Sequence, residues 1–147
     1  MKSWRVLVGA LVLIGACKDH EFHPPDKQER VSAAEQEYRA AAFDTIRWES
    51  EQSRLTQGNA VYAEKCRKCH GQLGEGGTEY ARQQNLNPPS LVTPDWPYAT
   101  HIDSVRHRIY VGHESGMPTF GIAGLTAREI DAVAFYVLEQ LRPDALR

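Results

Sequence analysis

Cys66, Cys69 and His70 stand as Cys-Arg-Lys-Cys-His in a chain of 147 residues that holds only three cysteines and six histidines. Two thiols three positions apart can grip a metal, exchange electrons as a dithiol, or add across the two vinyl groups of a porphyrin. Structural zinc needs four protein ligands, and no second Cys/His pair at matching spacing follows. A redox Cys-x-x-Cys pair sits by preference on a βαβ unit, which the hydropathy pattern does not suggest. The histidine directly after the second cysteine fits the third chemistry. Cys66 and Cys69 then form thioethers to one haem c, and His70 becomes the axial base beneath its iron.

A closed electron-transfer haem needs a second axial ligand from far along the chain. Apart from the initiator, Met117 is the one methionine, set in Gly116-Met117-Pro118-Thr119-Phe120. Most buried methionines fill gaps in cores. A methionine between glycine and proline instead occupies a turn that presents its side chain, and its soft thioether suits Fe(II). The rival is His113, four residues earlier. His101 and His107 fall on or beside a helical stretch and read as surface residues, while His20 and His23 lie in a segment with no partner motif. Trp96, Tyr98 and Arg108 carry donors that could reach haem propionates, with packing as the alternative role.

The elements needed to position these groups are helical. A stretch carrying Gly58, Val61 and Tyr62 runs into the cysteine motif, and Gly71, Gly74, Gly76 and Gly77 mark a loop behind it. The glycines lack the Gly-Lys-Ser/Thr ending of a phosphate cradle. Asn87-Pro88-Pro89-Ser90-Leu91 is extended, because proline biases the residue before it away from helix. Thr100 to Val111 reads as a helix with Ile102, Val105 and Ile109 on one face and Gly112 as its stop. Thr126-x-x-Glu129 is a capping box, followed by an apolar stripe through Ile130, Val133, Ala134, Val137, Leu138 and Leu141, which Pro143 is expected to end. There is no alternating strand pattern and no repeat, so the expected fold is all-α.

The N-terminus has its own chemistry. Lys2 and Arg5 precede an apolar run from Val6 to Ala16, a secretory signal too short to span a bilayer. Leu13-Ile14-Gly15-Ala16-Cys17 resembles a bacterial lipobox, which implies cleavage before Cys17 and lipidation of its sulfur. Three cysteines are thereby assigned, one to lipid and two to haem. The expected organisation is a signal peptide over 1–16, a lipid-anchored, partly helical tether over 17–54 and a haem domain over 55–147. Within the tether, Asp26 and Glu29 form a capping pair for a helix expected to reach about Glu51. The expected location is outside the cytoplasm, lipid-anchored to a bacterial membrane and facing the periplasm or cell exterior.

The whole chain has 17 basic and 19 acidic groups, a formal charge of −2. Removal of residues 1–16 takes Lys2 and Arg5 with it and leaves 15 against 19, or −4. No basic stripe is present, which argues against nucleic acid. The nearly neutral region after residue 57 predicts weak electrostatic steering of partners.

Taken in order, these pieces resemble the class I cytochrome c family over roughly residues 55 to 142. Gly58-x-x-Val61-Tyr62 is similar to the family's N-terminal helix, in which a glycine permits close crossing with the C-terminal helix. Val133-Ala134-Phe135-Tyr136 resembles the aromatic stretch of that second helix, with Tyr136 at the crossing. The resemblance implies that the Pro89 carbonyl accepts from the proximal His70 imidazole, a bond that orients the ring. It implies Met117 as the sixth ligand, through Ile109-x-x-Gly112 and Gly116-Met117-Pro118-x-Phe120. The long segment 18–54 departs from the compact family domain. The function implied is one-electron transfer between redox proteins or within a membrane complex, with no small-molecule substrate and no enzymatic step. The competing reading is an exported haem enzyme or gas sensor with an open sixth position; a non-redox structural lipoprotein is a third.

Overall fold

The computed structural model describes residues 23–147. The signal over 1–16, the lipidation at Cys17 and most of the leash that follows lie outside the described residues.

Seven helical elements follow one another, and no strand is formed among the described residues. They are α1 Lys27–Glu37, α2 Glu51–Val61, α3 Arg67–His70, α4 Glu79–Gln83, α5 Ile102–Val111, α6 Ala127–Tyr136 and α7 Arg142–Ala145, with a 3-10 turn at Ala40–Phe43. The expected all-α architecture is observed. Two π-helical turns join neighbours: Tyr62–Cys66 links α2 to α3, and Val137–Leu141 links α6 to α7. A π turn takes in one residue more than an α turn. The first therefore shifts the phase of the cysteine motif relative to α2.

The core forms where α2 crosses α6. Gly58 makes this crossing possible: a methyl on its Cα would lie 2.2 Å from the Ala132 carbonyl oxygen and 2.5 Å from Tyr136 Cβ. The expected Gly58–Tyr136 juxtaposition is therefore present. Val61, Tyr62, Ile130, Val133, Val137 and Leu141 are buried around it, and α5 adds Val105 and Ile109. The rings of Tyr62 and Tyr136 meet at 5.7 Å. Of the foreseen stripe, Ile130, Val133, Ala134, Val137 and Leu141 are buried and Leu138 is half-buried, its last three members falling in the π turn after α6; the capping box forms, with Thr126 Oγ1 accepting from the Glu129 N–H.

A buried acid ties four segments together. Asp131 is 1% exposed and accepts from Trp48 Nε1 and Arg54 Nη2, each at 2.6 Å, and from Arg106 Nε at 3.0 Å and Nη2. The two guanidinium groups offset the desolvation of one carboxylate, and the indole satisfies its remaining oxygen.

Three expectations about elements need correction. The helix started by the Asp26/Glu29 capping box forms as expected but ends at Glu37, not near Glu51. Tyr38 leaves helical geometry and its ring lodges against His107 and Tyr110, at 4.7 and 5.3 Å, while Phe43 enters the core from the 3-10 turn. These tertiary contacts outweigh helical continuation. A new capping box at Ser50 then starts α2, four residues before the expected edge of the haem region. Residues 26–48 pack on the rest of the chain: Glu35 meets His107 at 2.9 Å, and the Arg47 carbonyl accepts from Arg128 at 2.7 Å. Pro143 does not end the last helix. After the π turn it falls in the first turn of α7, where an N–H is not required.

Candidate haem site

One cavity of about 450 Å³ opens beneath the α2–α6 crossing, and its walls come from widely separated parts of the chain. Cys66, Cys69 and His70 line it together with Met117, Pro118, Pro88, Pro89 and Leu91. Tyr62, Val133 and Val137 close its floor from the helix crossing, and Val105 and Ile109 from α5. The volume lies within the range of cofactor sites, and a largely apolar wall with a few soft or basic ligands suits a flat, greasy macrocycle.

The cysteine motif is held at both ends. Tyr62 Oη, deep in the core, donates to the Gly71 carbonyl at 2.9 Å, which fixes the chain just past His70. Thr78 Oγ1 donates to the Lys68 carbonyl at 2.8 Å and accepts from the Ala81 N–H at 3.1 Å. A single hydroxyl therefore closes α3 and starts α4. Gly71 has φ +88 and Gly76 φ +74, and a side chain at Gly76 would press on the Pro88 carbonyl at 2.8 Å. The glycines that read as a flexible loop instead bring the Pro88–Pro89 segment close under His70. The Leu91 N–H donates to the Gly74 carbonyl at 2.7 Å and seals that approach.

Electrostatics separate the three motif residues. The half-buried Cys66 thiol is pushed up to about 12, mainly by desolvation and secondarily by Cys69, so as a free thiol it stays protonated. The His70 imidazole is pushed down, chiefly by burial, which keeps it neutral and able to bind a metal; the Pro89 carbonyl opposes that shift. His70 Nδ1 is buried yet makes no regular hydrogen bond. The Pro89 carbonyl is the group oriented to take that proton once the ring is drawn into ligation. An orphaned ring nitrogen near an acceptor, together with two thiols and a thioether lining the same cavity, fits a covalently held haem.

The methionine turn is built by its glycines. The His113 N–H donates to the Met117 carbonyl at 3.0 Å, forming a one-pair antiparallel bridge. Gly112, at φ +74, lies so close to that turn that a Cβ would meet the Met117 and Pro118 carbonyl oxygens at 2.6 Å. His113 also lines the cavity, but its Nδ1 accepts from the Ser115 N–H at 3.1 Å and is engaged locally. His107 pairs with Glu35 and stays away from the cavity, and His101 is exposed.

Trp96, Tyr98 and Arg108 lie together on the rim. The indole meets the phenol ring edge-on at 5.5 Å, and Arg108 Nη2 donates to Tyr98 Oη at 3.2 Å. Sequence reasoning missed Tyr62 and Thr78 as supports of the motif. For Thr78 a signal existed, since a threonine ahead of Glu79 marks a helix start.

Comparison with known proteins agrees with this geometry. A family model described as cytochrome c oxidase, cbb3-type, subunit III matches residues 53–137. The chain belongs to that family. It is also 29% identical over 94 residues to the cbb3-type cytochrome c oxidase subunit CcoP of Rhodobacter capsulatus, a match covering 60% of this chain and 30% of that protein. The chain therefore corresponds to less than a third of that relative's length. No solved structure matches it. Family membership makes the chain a haem-containing electron-transfer cytochrome, consistent with the class I cytochrome c resemblance. Among the described residues, no helix is long and apolar enough to cross a membrane.

Proposed function

We propose that this cytochrome carries a single haem c, bound through Cys66 and Cys69 and ligated by His70 and Met117, and passes one electron at a time between membrane-associated redox proteins. The observation that carries this reading is the convergence of Cys66, Cys69, His70, Pro89 and Met117, up to 51 positions apart in the chain, on the wall of one cavity. When bound, the haem supplies an iron that cycles between Fe(II) and Fe(III).

The protein's own groups do the rest. Desolvation keeps His70 neutral for ligation, and the Pro89 carbonyl would accept its Nδ1 proton and fix the ring plane once the ring is ligated. The Gly112–Met117 turn presents the thioether without needing a helix to carry it. Val105, Ile109, Val133 and Val137 exclude water, so little solvent has to reorganise as the charge changes.

The similarity to an oxidase subunit supports a partner of that kind, a membrane respiratory complex to which this protein delivers electrons or within which it is a subunit. The signal over 1–16 and lipidation of Cys17 would hold it to a bacterial membrane, facing the periplasm or cell exterior. The test is a redox titration followed by carbon monoxide. A reversible one-electron transition, with a reduced form that binds the gas slowly and incompletely at neutral pH, supports the closed site. Rapid, complete binding would shift the reading to a sensor or peroxidase-like protein.

A further inference from the structure

The last helix carries a buried cation that the closed-site reading does not use. Arg142 is 6% exposed, yet it makes no ion pair among the described residues. Its nearest acid in sequence, Asp144, is engaged by Arg147. Of the part-buried arginines, Arg54 and Arg106 share the Asp131 carboxylate, while Arg108, on the cavity wall, bonds the Gly112 carbonyl and Tyr98 Oη and also has no acid partner. Arg142 instead donates through Nη1 to the Leu91 carbonyl, donates to the Thr93 carbonyl at 3.4 Å, and lies with its guanidinium carbon 5.0 Å from the Trp96 ring centroid. Carbonyl oxygens satisfy its N–H groups but bring no negative charge. Burial pushes the guanidinium downward, against its charged form, but an arginine does not deprotonate in a protein.

The position of this charge matters because Leu91 and Trp96 both line the cavity. A full positive charge therefore sits one side-chain layer behind the wall, where screening by water is weak. On the haem reading given above, the oxidised centre carries one more positive charge than the reduced one. A fixed cation nearby opposes the oxidised form.

We propose that Arg142 is a positioning residue that sets the reduction potential: its unpaired charge, anchored on the 91–96 segment, holds the centre toward the reduced state. The 91–96 segment would stay in place with any side chain that keeps the two carbonyl bonds. The electrostatic part requires the charge itself.

The experiment is a spectroelectrochemical titration of the full-length protein and four variants. Arg142→Met removes the charge, and Arg142→Lys keeps it. At a partner site, Thr93→Asp adds a carboxylate beside the guanidinium on an exposed residue, with Thr93→Asn as its neutral control. Removing the charge is expected to shift the equilibrium toward Fe(III) by about 3- to 10-fold at fixed poise; tenfold corresponds to about 59 mV lower potential for one electron. Arg142→Lys should stay near the wild type, and Thr93→Asp should fall below Thr93→Asn. If Arg142→Met does not fold, the Thr93 pair alone decides the matter on a protein with its arginine intact. Equal potentials within the tested pairs, in a protein whose spectrum shows c-type haem, overturn this inference alone. A wild-type protein that takes up no haem overturns the site reading and this inference with it.

Discussion

Gly58→Ala sets two effects of opposite sign against each other, and the structure says which prevails. Alanine is a better helix former than glycine by about 1 kcal/mol, so propensity alone predicts stabilisation. At this crossing, however, the new methyl would sit 2.2 Å from the Ala132 carbonyl oxygen and 2.5 Å from Tyr136 Cβ. An ordinary carbon–oxygen contact is about 3.3 Å, so α2 and α6 must separate by about 1 Å. A gap of that size forfeits up to half of each atom pair's attraction of about 0.1–0.2 kcal/mol; over on the order of 30 pairs the loss is about 1.5–3 kcal/mol. The net effect is destabilisation by about 0.5–2 kcal/mol, toward the lower part of the range for overpacking. Urea unfolding followed by tryptophan fluorescence should show a midpoint lower by roughly 0.3–1 M. Ala132→Gly should not rescue the variant, because the obstacle is a backbone carbonyl and not the alanine methyl. A raised midpoint, or full rescue by Ala132→Gly, would refute the crossing geometry.

Asp131→Asn leaves Arg54 without a counter-charge and Arg106 with only the exposed Asp103 carboxylate, and thermal unfolding should report a loss of about 3 kcal/mol; a loss below about 1 kcal/mol would mean that the hub contributes little. Met117→Ala should open the sixth position, so that the reduced variant binds carbon monoxide fast and the weak long-wavelength sulfur-to-iron band of the oxidised form disappears; an unchanged band would point to another ligand. Glu129 is held below the usual carboxylate range by the Thr126 N–H and hydroxyl. A carboxyl lowered on folding adds stability that is present above its unfolded value of about 4.3 and is lost as pH falls through its folded value. Glu129→Gln should therefore flatten the acid limb of the stability curve below about pH 4.3, while Thr126→Ala should cost about 1 kcal/mol near neutrality. Identical acid limbs in Glu129→Gln and wild type would show that the capping box does not titrate with folding.

Local signals in the chain were legible where the physics is local. The Asp26 and Thr126 capping boxes, the Gly112 stop and the α6 stripe depend on neighbours three or four residues away. The Gly58–Tyr136 contact was foreseen from the family resemblance. What periodicity could not show depends on distant partners. Tyr38 leaves its helix because His107 and Tyr110 lie waiting on α5. Asp131 drew no notice in the sequence, because its partners Trp48, Arg54 and Arg106 come from 83, 77 and 25 positions away. Arg142 likewise reads as a helix-end charge until the Leu91 and Thr93 carbonyls cover it. The Ser50 start of α2 was present in sequence as Ser50-x-x-Ser53, but a helix drawn through Trp48 concealed it. Pro143 misled because a π turn resets the hydrogen-bond ladder before it, and no residue pattern announces a π turn.

The most direct test of the site is chemical. Purified protein from cells able to attach c-type haem, digested and analysed by mass spectrometry, should yield a peptide spanning residues 66–70 that carries one haem through both cysteines and has no thiol left to alkylate. In alkaline pyridine the intact protein should show the spectrum of one haem with both vinyl groups saturated. A colourless protein in which Cys66 and Cys69 both react with a thiol reagent would contradict the account.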